Sequence, residues 1–269
     1  MKRINTLSTL LALLGTFTLV QAQEKHVHLH VNPRWEECSF QLDPALTQDA
    51  WKEFTEEAGL VAYFRPLVDA KPLGRRHFEV SILQWQTKID DTKPAWNDTF
   101  VHPDSAHWLK ETGRLAFPGL AARVGITDKL DVGLYFTKRP GANYGFYGGQ
   151  VQYNFLNNAD TKWSVSGRAT FTSMYGPEDL KLSIYGLEGI VSKEIPIYSH
   201  WISVSPYAGV SSYLSCSHET SERVDLDDER VIGGQAMVGA VLKLSAVRVG
   251  LEYNLAKVNT VSLKIGAAF

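Results

Sequence analysis

The chain has 269 residues, of which 44% are hydrophobic and 21% charged, with a formal net charge of -2 at pH 7. A charge so close to zero lacks the basic footprint of nucleic-acid-binding proteins, so no nucleic-acid partner is expected. Beyond the N-terminus no apolar stretch reaches the roughly 20 residues of a transmembrane helix, which excludes helical membrane spans from the mature chain.

The start of the chain has the three parts of an export signal. Lys2 and Arg3 form a positive start, an interrupted apolar stretch runs up to Val20, and Ala22 is a small residue of the kind found at cleavage sites. Residues 1–22 are therefore predicted to be a cleaved signal peptide, which places the mature chain outside the cytoplasm. An uncleaved N-terminal membrane anchor is the alternative.

Residues 23–75 are predicted to form an N-terminal segment with one amphipathic helix. Asp43 and Pro44 suit the N-cap and the first helical position, apolar residues then recur at a spacing of four, and Gly59 is placed to end the helix. The apolar face of such a helix needs a surface to pack on. Two placements provide one: the mouth of the domain that follows, or its interior, as a plug.

Three histidines alternate near the start of this segment, at His26, His28 and His30. Alternate residues of an extended chain point to one side, so the three imidazoles would share a face. Imidazole is a common ligand for zinc and copper, which makes this stretch a weak candidate metal site. A solvated tail without metal is the alternative, because chain termini are seldom tied down. No cofactor is expected elsewhere.

From residue 76 onward the polarity alternates in stretches of about ten residues bounded by turn residues, which is typical of tilted membrane-spanning strands. The pattern predicts an all-β fold: a closed antiparallel transmembrane β-barrel of about ten strands, within a range of about 8 to 12, over residues 76–269. Pro118 and Pro206 lie inside predicted strands and are expected to mark bulges. The predicted strands are 76–88, 114–126, 131–138, 146–156, 162–174, 181–192, 201–214, 232–244, 247–257 and 260–269.

Sorting each predicted strand into its two faces separates apolar from charged side chains. One face carries residues such as Leu134, Leu187 and Leu251, and no charge is expected on it in any strand. An arginine or lysine on the lipid side at mid-bilayer costs about 2 to 4 kcal/mol, so exposure to lipid demands this separation. The other face carries eight charges predicted to line the lumen: Glu79, Arg123, Arg168, Glu188, Lys243, Arg248, Glu252 and Lys264.

These lumen charges have two interpretations. Buried charges persist only when they are paired, so the eight residues can form a structural salt-bridge network. Alternatively, five cations and three anions line a narrow pore that slightly favours anions. A soluble barrel with its charged face outward shows the same alternation, because the sequence does not reveal which way a face points. The signal peptide and the aromatic residues Phe155, Trp163 and Phe269 favour the membrane barrel.

Three stretches resemble the Gram-negative outer-membrane β-barrel proteins. "RVGITDKLDVGLYF" at 123–136 resembles one of their periplasmic hairpins, while "ISVSPYAGVSSYL" at 202–214 and "VSLKIGAAF" at 261–269 resemble their late strands. The resemblance covers residues 76–269 and indicates the class without a subfamily. It implies a cell outer membrane location, contact with outer-membrane lipid, and a barrel-assembly machinery that reads Phe269 as part of its signal. Residues 23–75 would then be a periplasmic segment or a plug.

The first long connection, residues 90–113, holds the densest polar cluster. Asp98, His102 and His107 are candidates for acid–base chemistry and would make the protein an outer-membrane hydrolase with a site at the extracellular rim. A loop folded over the barrel mouth accounts for the same residues, so no catalysis is expected. The predicted function is structural or passive translocation of small solutes, and a surface adhesin or receptor is the remaining alternative.

The chain has two cysteines, Cys38 and Cys216. Cys38 precedes the barrel, and Cys216 follows the seventh predicted strand at the external end. They can form a disulfide only if the N-terminal segment threads through the lumen, and two cysteines do not make a disulfide framework. A disulfide is therefore not expected.

Overall fold

The computed structural model describes residues 38–101, 114–138, 141–198 and 201–269. The predicted signal peptide lies outside the described residues, and so do His26, His28, His30, His102 and His107. Within the described ranges, no helix is long and apolar enough to cross a membrane.

Thirteen strands and two helices are present in the described part of the chain. The helices are α1 (Gln48–Val61) and α2 (Pro94–Asn97). The strands are β1 (Ser39–Phe40), β2 (Phe78–Lys88), β3 (Phe100–Val101), β4 (Arg114–Gly125), β5 (Leu130–Lys138), β6 (Gly145–Asn157), β7 (Trp163–Tyr175), β8 (Leu180–Lys193), β9 (Ile195–Tyr198), β10 (Ile202–Glu219), β11 (Glu229–Leu244), β12 (Val247–Leu255) and β13 (Thr260–Ala268).

Ten of these strands form a closed antiparallel barrel in the order β2-β4-β5-β6-β7-β8-β10-β11-β12-β13. The ring closes because β13 pairs with β2, from Thr260 opposite Thr87 to Ala268 opposite Glu79. The short β9 pairs with β10 outside the ring, and β1 pairs with β3 as a separate ribbon. The predicted fold class and strand number are confirmed.

The seam between β13 and β2 includes Phe269. Its backbone N–H donates to the carbonyl of Phe78 at 2.8 Å, and the Phe78 N–H donates back at 2.9 Å. The two rings lie 5.2 Å apart on the outward side. Because an unpaired strand edge is not tolerated in lipid, these bonds complete the closure down to the final residue.

Neither proline marks a bulge, so that expectation is wrong. Pro118 lies one residue before the β4–β5 pairing begins at Gly119, and Pro206 lies between the pairings of β10 with β9 and with β8. Each proline therefore occupies a position where one neighbouring strand makes no pair with it, so a missing N–H is tolerated. The barrel wall is irregular instead between Asn154 and Leu156 of β6.

The outward face of the wall is apolar over most of its height. Leu134 is 67% exposed and Leu187 69% exposed, as expected for side chains that point away from the lumen. The expectation that this face carries no charge is wrong at the strand ends, where Lys88, Arg114, Lys138 and Lys181 point outward. In a barrel that spans a bilayer, an arginine or lysine near the interface costs only about 0 to 1 kcal/mol, compared with about 2 to 4 kcal/mol at the midplane.

The two ends of the barrel differ in their connections. The connections β2–β4, β5–β6, β7–β8, β10–β11 and β12–β13 meet at one end, here called the loop end, and the remaining connections meet at the turn end. α1 lies at the loop end, where it contacts β10 and β11. Residues 62–75, here called the lumen segment, then run inside the barrel to the turn end, where the Arg76 N–H donates to the Gly125 carbonyl at 3.0 Å.

α1 begins and ends later than the sequence predicts. Thr47, not Asp43, is its N-cap and accepts a hydrogen bond from the Ala50 N–H, whereas Asp43 accepts from the Ala45 N–H in a preceding turn. Gly59 lies inside the helix rather than at its end. A Cβ there would lie 2.6 Å from the Tyr213 ring and 2.7 Å from the Ser215 side chain, so glycine is needed for close packing on β10.

Candidate functional site: the filled lumen

The loop-end half of the lumen is an aromatic core. Trp51 and Phe54 of α1 stack 5.3 Å apart, and Phe54 meets the Trp96 ring edge-on at 5.2 Å. From the wall, the Trp85 indole N–H donates to the Val61 carbonyl at 2.9 Å. Further side chains buried in the same core are Leu42, Phe40, Tyr63, Phe64, Leu83, Leu115, Phe117, Tyr135, Tyr144, Phe146, Leu180, Leu182 and Ile184.

The residues before α1 are tied to the loops of this end. The Asn143 side-chain amide exchanges two hydrogen bonds with the backbone of Phe40, at 2.9 and 2.7 Å. The Leu42 N–H donates to the Asp179 carboxylate at 3.1 Å, and the Asp227 N–H donates to the side-chain carbonyl of Gln48 at 2.9 Å. Residues 38–61, here called the cap, therefore hold three different loops across the loop-end mouth.

The outer side of α1 carries an acidic row that two lysines neutralise. Lys93 contacts Glu53 at 2.7 Å, and Lys257 contacts Glu56 at 2.8 Å. The hydrogen bond from Lys93 lowers the pKa of the Glu53 carboxyl below its usual value. The buried Glu57 accepts from the Trp96 indole N–H at 2.6 Å. These contacts fix α1 to α2 and to the β12–β13 connection.

Arg65 marks the change from the apolar half to the polar half. Its guanidinium donates to the Leu60 carbonyl at 2.7 Å and the Tyr63 carbonyl at 2.9 Å, which orders the turn after α1. It also donates to Asn254 of β12 at 2.8 Å and to Gln235 of β11 at 3.2 Å. The side chain is 2% exposed, so one residue joins the lumen segment to two strands in the barrel interior.

The wall supplies hydrogen bonds to the lumen segment, which is extended and has no strand partner. Three consecutive backbone carbonyls accept from wall side chains: that of Val68 from Arg168 at 3.2 Å, that of Asp69 from Gln152 at 3.1 Å, and that of Ala70 from Asn154 at 2.9 Å. Buried backbone groups are costly when unpaired, so these inward-pointing polar side chains stabilise the threaded backbone.

Ion pairs occupy the polar half of the lumen. Arg168 and Glu188 are paired at 2.7 Å with both side chains 1% exposed. Glu79 receives Lys264 at 2.6 Å and Arg123 at 3.0 Å. Further polar contacts of predicted lumen residues are Arg123 with Asp131 at 3.4 Å, Lys243 with Asp69 at 2.7 Å, and the Tyr207 hydroxyl donating to Glu252 at 2.7 Å.

A cavity of about 270 Å³ lies at the turn end, beside the lumen segment. Its charged lining comprises Asp69, Lys71, Glu79, Arg123, Glu194, Lys243, Arg248 and Lys264. Lys71 contacts Glu194 at 2.6 Å, and Lys243 contacts it at 3.5 Å. Burial alone raises the pKa of Glu194, but the hydrogen bond from Lys71 and the charge of Lys243 outweigh it and hold the pKa at about 2. The guanidinium of Arg248 donates to the carbonyls of Ser245 and Val247.

The candidate rim residues are only partly described. Asp98 follows α2, where its carboxylate accepts from the Asn97 side chain at 2.8 Å and its carbonyl accepts from the Asp43 N–H at 2.8 Å. The bond from Asp43 joins the cap to the residue that follows α2. No disulfide joins Cys38 and Cys216, which both lie in described ranges. No group of three or more His, Cys, Asp or Glu residues suited to a metal ion occurs among the described residues.

Sequence analysis missed four charged residues of the lumen. Arg65, Asp69 and Glu194 lie outside the predicted strands, and Asp131 was not assigned to the inward face of its strand. A usable signal was present in β6, where Gln150, Gln152 and Asn154 place three consecutive amides on one face. An inward row of amides suits an extended backbone that lacks a strand partner.

No family model matches the chain, and no curated protein does. Solved structures similar to it include the outer membrane channel from Pseudomonas putida F1, with 13% identity over 77% of this chain and 100% of that chain and a TM-score of 0.43. The beta domain of the Bordetella autotransporter BrkA has 11% identity over 72% and 99%, with a TM-score of 0.38. The N-terminal beta-barrel domain of Pseudomonas aeruginosa OprF has 12% identity over 73% and 99%, with a TM-score of 0.30. Similarity at these levels assigns no function.

Proposed function

We propose that this protein is a structural, non-conducting β-barrel of the cell outer membrane, exported through a cleaved signal peptide and without catalysis. The observation that carries the proposal is the filled lumen. The cap covers the loop-end mouth, and the lumen segment occupies the interior from there to the turn end.

The outward face supports a membrane location. Large apolar side chains are exposed around the ring, among them Ile82, Leu120, Leu134, Leu187 and Leu251. A soluble protein rarely exposes an apolar surface that surrounds it, whereas lipid requires one. The charged and polar side chains point inward, where ion pairs and the backbone of the lumen segment neutralise them.

The lumen contents support closure rather than passage. A solute would have to cross the aromatic core around Trp51 and Phe54, which are 0% exposed. The turn-end cavity is polar and lies beside the lumen segment and the ion pairs of Glu79 and Asp69. Passive translocation would therefore require the cap to leave the loop-end mouth.

Planar-bilayer recording of the refolded full-length protein tests the proposal. We expect no single-channel steps, because no continuous aqueous path crosses the aromatic core. Heat-modifiable migration on a gel establishes that the barrel is folded in the same sample. Steady unitary steps from wild-type protein would contradict the closed lumen and restore the passive-translocation interpretation. Equal migration with and without boiling, together with recovery in the soluble fraction, would contradict the membrane barrel.

The hydrolase and adhesin alternatives are tested through the loops. Replacing His102 and His107 by alanine should leave any envelope phenotype of a deletion strain fully complemented, because the proposal gives these residues no catalytic role. Loss of complementation by the double variant, with the barrel still heat-modifiable, would favour the rim hydrolase. A surface adhesin would lose binding to host cells or matrix when its loops are exchanged, with the lumen unchanged.

A further inference from the structure

The charges on the outward face of the barrel all have the same sign. In the described barrel strands the outward-pointing residues include six lysines and arginines and no aspartate or glutamate. Only one of the six, Lys193, lies at the turn end. The other five lie at the loop end and are Lys88, Arg114, Lys138, Lys181 and Arg230.

None of the five loop-end cations has a carboxylate partner among the described residues. Lys138 differs from the other four because its ammonium donates to the backbone carbonyls of Ala142 and Tyr144 at 2.9 and 3.2 Å. Inside the lumen, by contrast, Lys264 pairs with Glu79 and Arg168 pairs with Glu188. Lys88, Arg114, Lys181 and Arg230, here called the basic girdle, are exposed on the wall without such partners.

The girdle residues are arranged in two groups on neighbouring strands. Lys88 of β2 lies directly opposite Arg114 of β4. Lys181 of β8 lies opposite His218 of β10, and Arg230 of β11 lies opposite Cys216, so these two cations flank β10 with their backbones about 12 Å apart. Like charges placed directly opposite each other destabilise a strand pair, unless an anion from outside the wall joins them.

The height of the girdle matches the edge of an apolar band. Ten residues separate Phe78 from Lys88, and ten separate Val191 from Lys181, so each cation lies about 26 Å above its apolar counterpart for strands tilted by about 40°. Outer-membrane barrels carry an apolar band about 25 Å tall. This height places Lys88 and Lys181 at the level of the headgroups, with the polar outward residues Gln84 and Gln86 next below Lys88 on β2.

We propose that the basic girdle binds the phosphate groups of anionic lipid headgroups in the leaflet at the loop end. The proposal rests on the proposed membrane location. It adds the ligand class, which is lipid phosphate, and the leaflet, which is the one at the loop end. Two groups of two cations complement phosphate oxygens in charge and in hydrogen-bond donors. The acid beside the second group, Asp228, is paired with His218. At the turn end, the described barrel strands have one outward cation, Lys193, whose ammonium lies 5.4 Å from the centre of the Trp163 ring.

The test uses the full-length protein and two lipids that differ only in phosphate. Binding of phosphatidic acid and of the diacylglycerol with the same chains is measured by native mass spectrometry from neutral detergent. The variants are Lys88→Gln with Arg114→Gln, Lys181→Gln with Arg230→Gln, and the matched control Lys193→Gln. Lys88→Arg with Arg114→Lys keeps the charge while it changes both side chains.

We expect wild-type protein to prefer phosphatidic acid and to lose this preference as salt rises. Each glutamine pair should weaken phosphatidic acid binding at least tenfold, since a cation near a lipid surface contributes about a fivefold factor. Lys193→Gln and the charge-preserving variant should stay within about twofold. Equal affinity of the wild-type protein for the two lipids would contradict the proposed role of the basic girdle. A loss of phosphatidic acid affinity in Lys193→Gln as large as in the glutamine pairs would also contradict it.

Folding failure is separated from loss of binding by heat-modifiable migration. If a glutamine pair does not fold, the salt dependence of the wild-type protein and the charge-preserving variant decide the question. A wild-type preference that salt leaves unchanged would overturn the proposal. Failure of the wild-type protein to insert into vesicles would instead contradict the membrane location. Insertion with equal affinities for the two lipids would contradict only the proposal that the basic girdle binds lipid phosphate.

Discussion

The two halves of the lumen are filled in opposite ways by one continuous segment of chain. At the loop end, α1 packs Trp51 and Phe54 against apolar wall residues. Hydrogen bonds from the wall strands reach α1 through Trp85, Tyr213, Ser217 and Glu229. At the turn end, the lumen segment has few large side chains, and the wall reaches it through Arg168, Gln152 and Lys243.

The difference shows that different residues close the lumen to water and attach the lumen segment to the wall. The apolar half excludes water because its rings interlock, and its stability rises with buried area. The polar half contributes little by burial, since desolvated ion pairs roughly offset their own attraction. It fixes the path of the lumen segment instead, because each contact specifies one partner. Substitutions in the apolar half should therefore chiefly lower stability, whereas substitutions in the polar half should chiefly disturb the path of the lumen segment.

The largest effect is expected for Trp51→Ala. Removing a fully buried indole from the aromatic core should lower the free energy of unfolding by about 3 to 5 kcal/mol and increase amide hydrogen exchange throughout α1. Urea titration followed by gel migration gives the first quantity, and exchange mass spectrometry gives the second. Trp163→Ala is the control, since Trp163 is 43% exposed on the outward face. Unchanged exchange in α1 would show that the core does not hold the cap.

A loss of about 3 kcal/mol is expected for Arg168→Met, because it leaves the Glu188 carboxylate buried without its cation. The double variant Arg168→Met with Glu188→Met should recover most of that loss, since an apolar pair replaces an ionic one at little net cost. The coupling energy from this double-mutant cycle measures the ion pair. Additive losses in the double variant would mean that the two residues act independently.

A smaller loss of about 1 to 3 kcal/mol is expected for Gly59→Ala, because the added methyl group meets the Tyr213 and Ser215 side chains and pushes α1 off β10. Gly189→Ala on β8 is the matched control, since a Cβ at that position has no heavy atom within 4 Å. Proteolysis of the cap in folded protein reports the displacement. Equal protection of the two variants would contradict the close packing.

The smallest effect concerns pH at the turn end. Because folding lowers the pKa of Glu194 from 4.5 to about 2, its stabilisation is complete above pH 4.5 and is lost as the pH falls toward 2. The loss should be about 1 kcal/mol, since the pair with Lys71 is partly exposed to solvent. Thermal unfolding of wild-type protein and Glu194→Gln between pH 6 and about 2 measures it. A pH dependence that Glu194→Gln retains in full would assign it to other carboxyl groups.

The sequence predicts the barrel wall well because alternation with a period of two follows from a wall whose outward and inward faces have different surroundings. Leu134, Leu187 and Leu251 are exposed as predicted, and the ten strands lie within a few residues of their predicted bounds. The inward face is harder, because it packs against another part of the chain. Leu83, Trp85 and Phe117 point inward although they are apolar, which period alone does not predict.

The content of the lumen could not be derived from the residues alone. Residues 60–75 contain three breaks, at Pro66, Pro72 and Gly74, which are equally typical of an exposed connector. Their burial depends on contacts across more than 100 positions, such as those from Arg65 to Gln235 and Asn254. Such pairings leave no local signature. Gly59 illustrates the limit, since a helix-ending residue and a close-packing residue look the same in sequence.

The seam between β2 and β13 has a consequence for the order of assembly. The lumen segment is joined to β2 at the turn end, and α1, about 10–12 Å across with its side chains, lies beyond its other end. Once Phe269 has paired with Phe78 the ring has no lateral opening, so the segment can leave only by drawing an unfolded α1 through the interior. The pairing of β13 with β2 thus locks the lumen segment inside the ring. Release of the segment is then limited by the rate at which α1 unfolds and passes through the lumen, even under conditions where the released state is favoured at equilibrium.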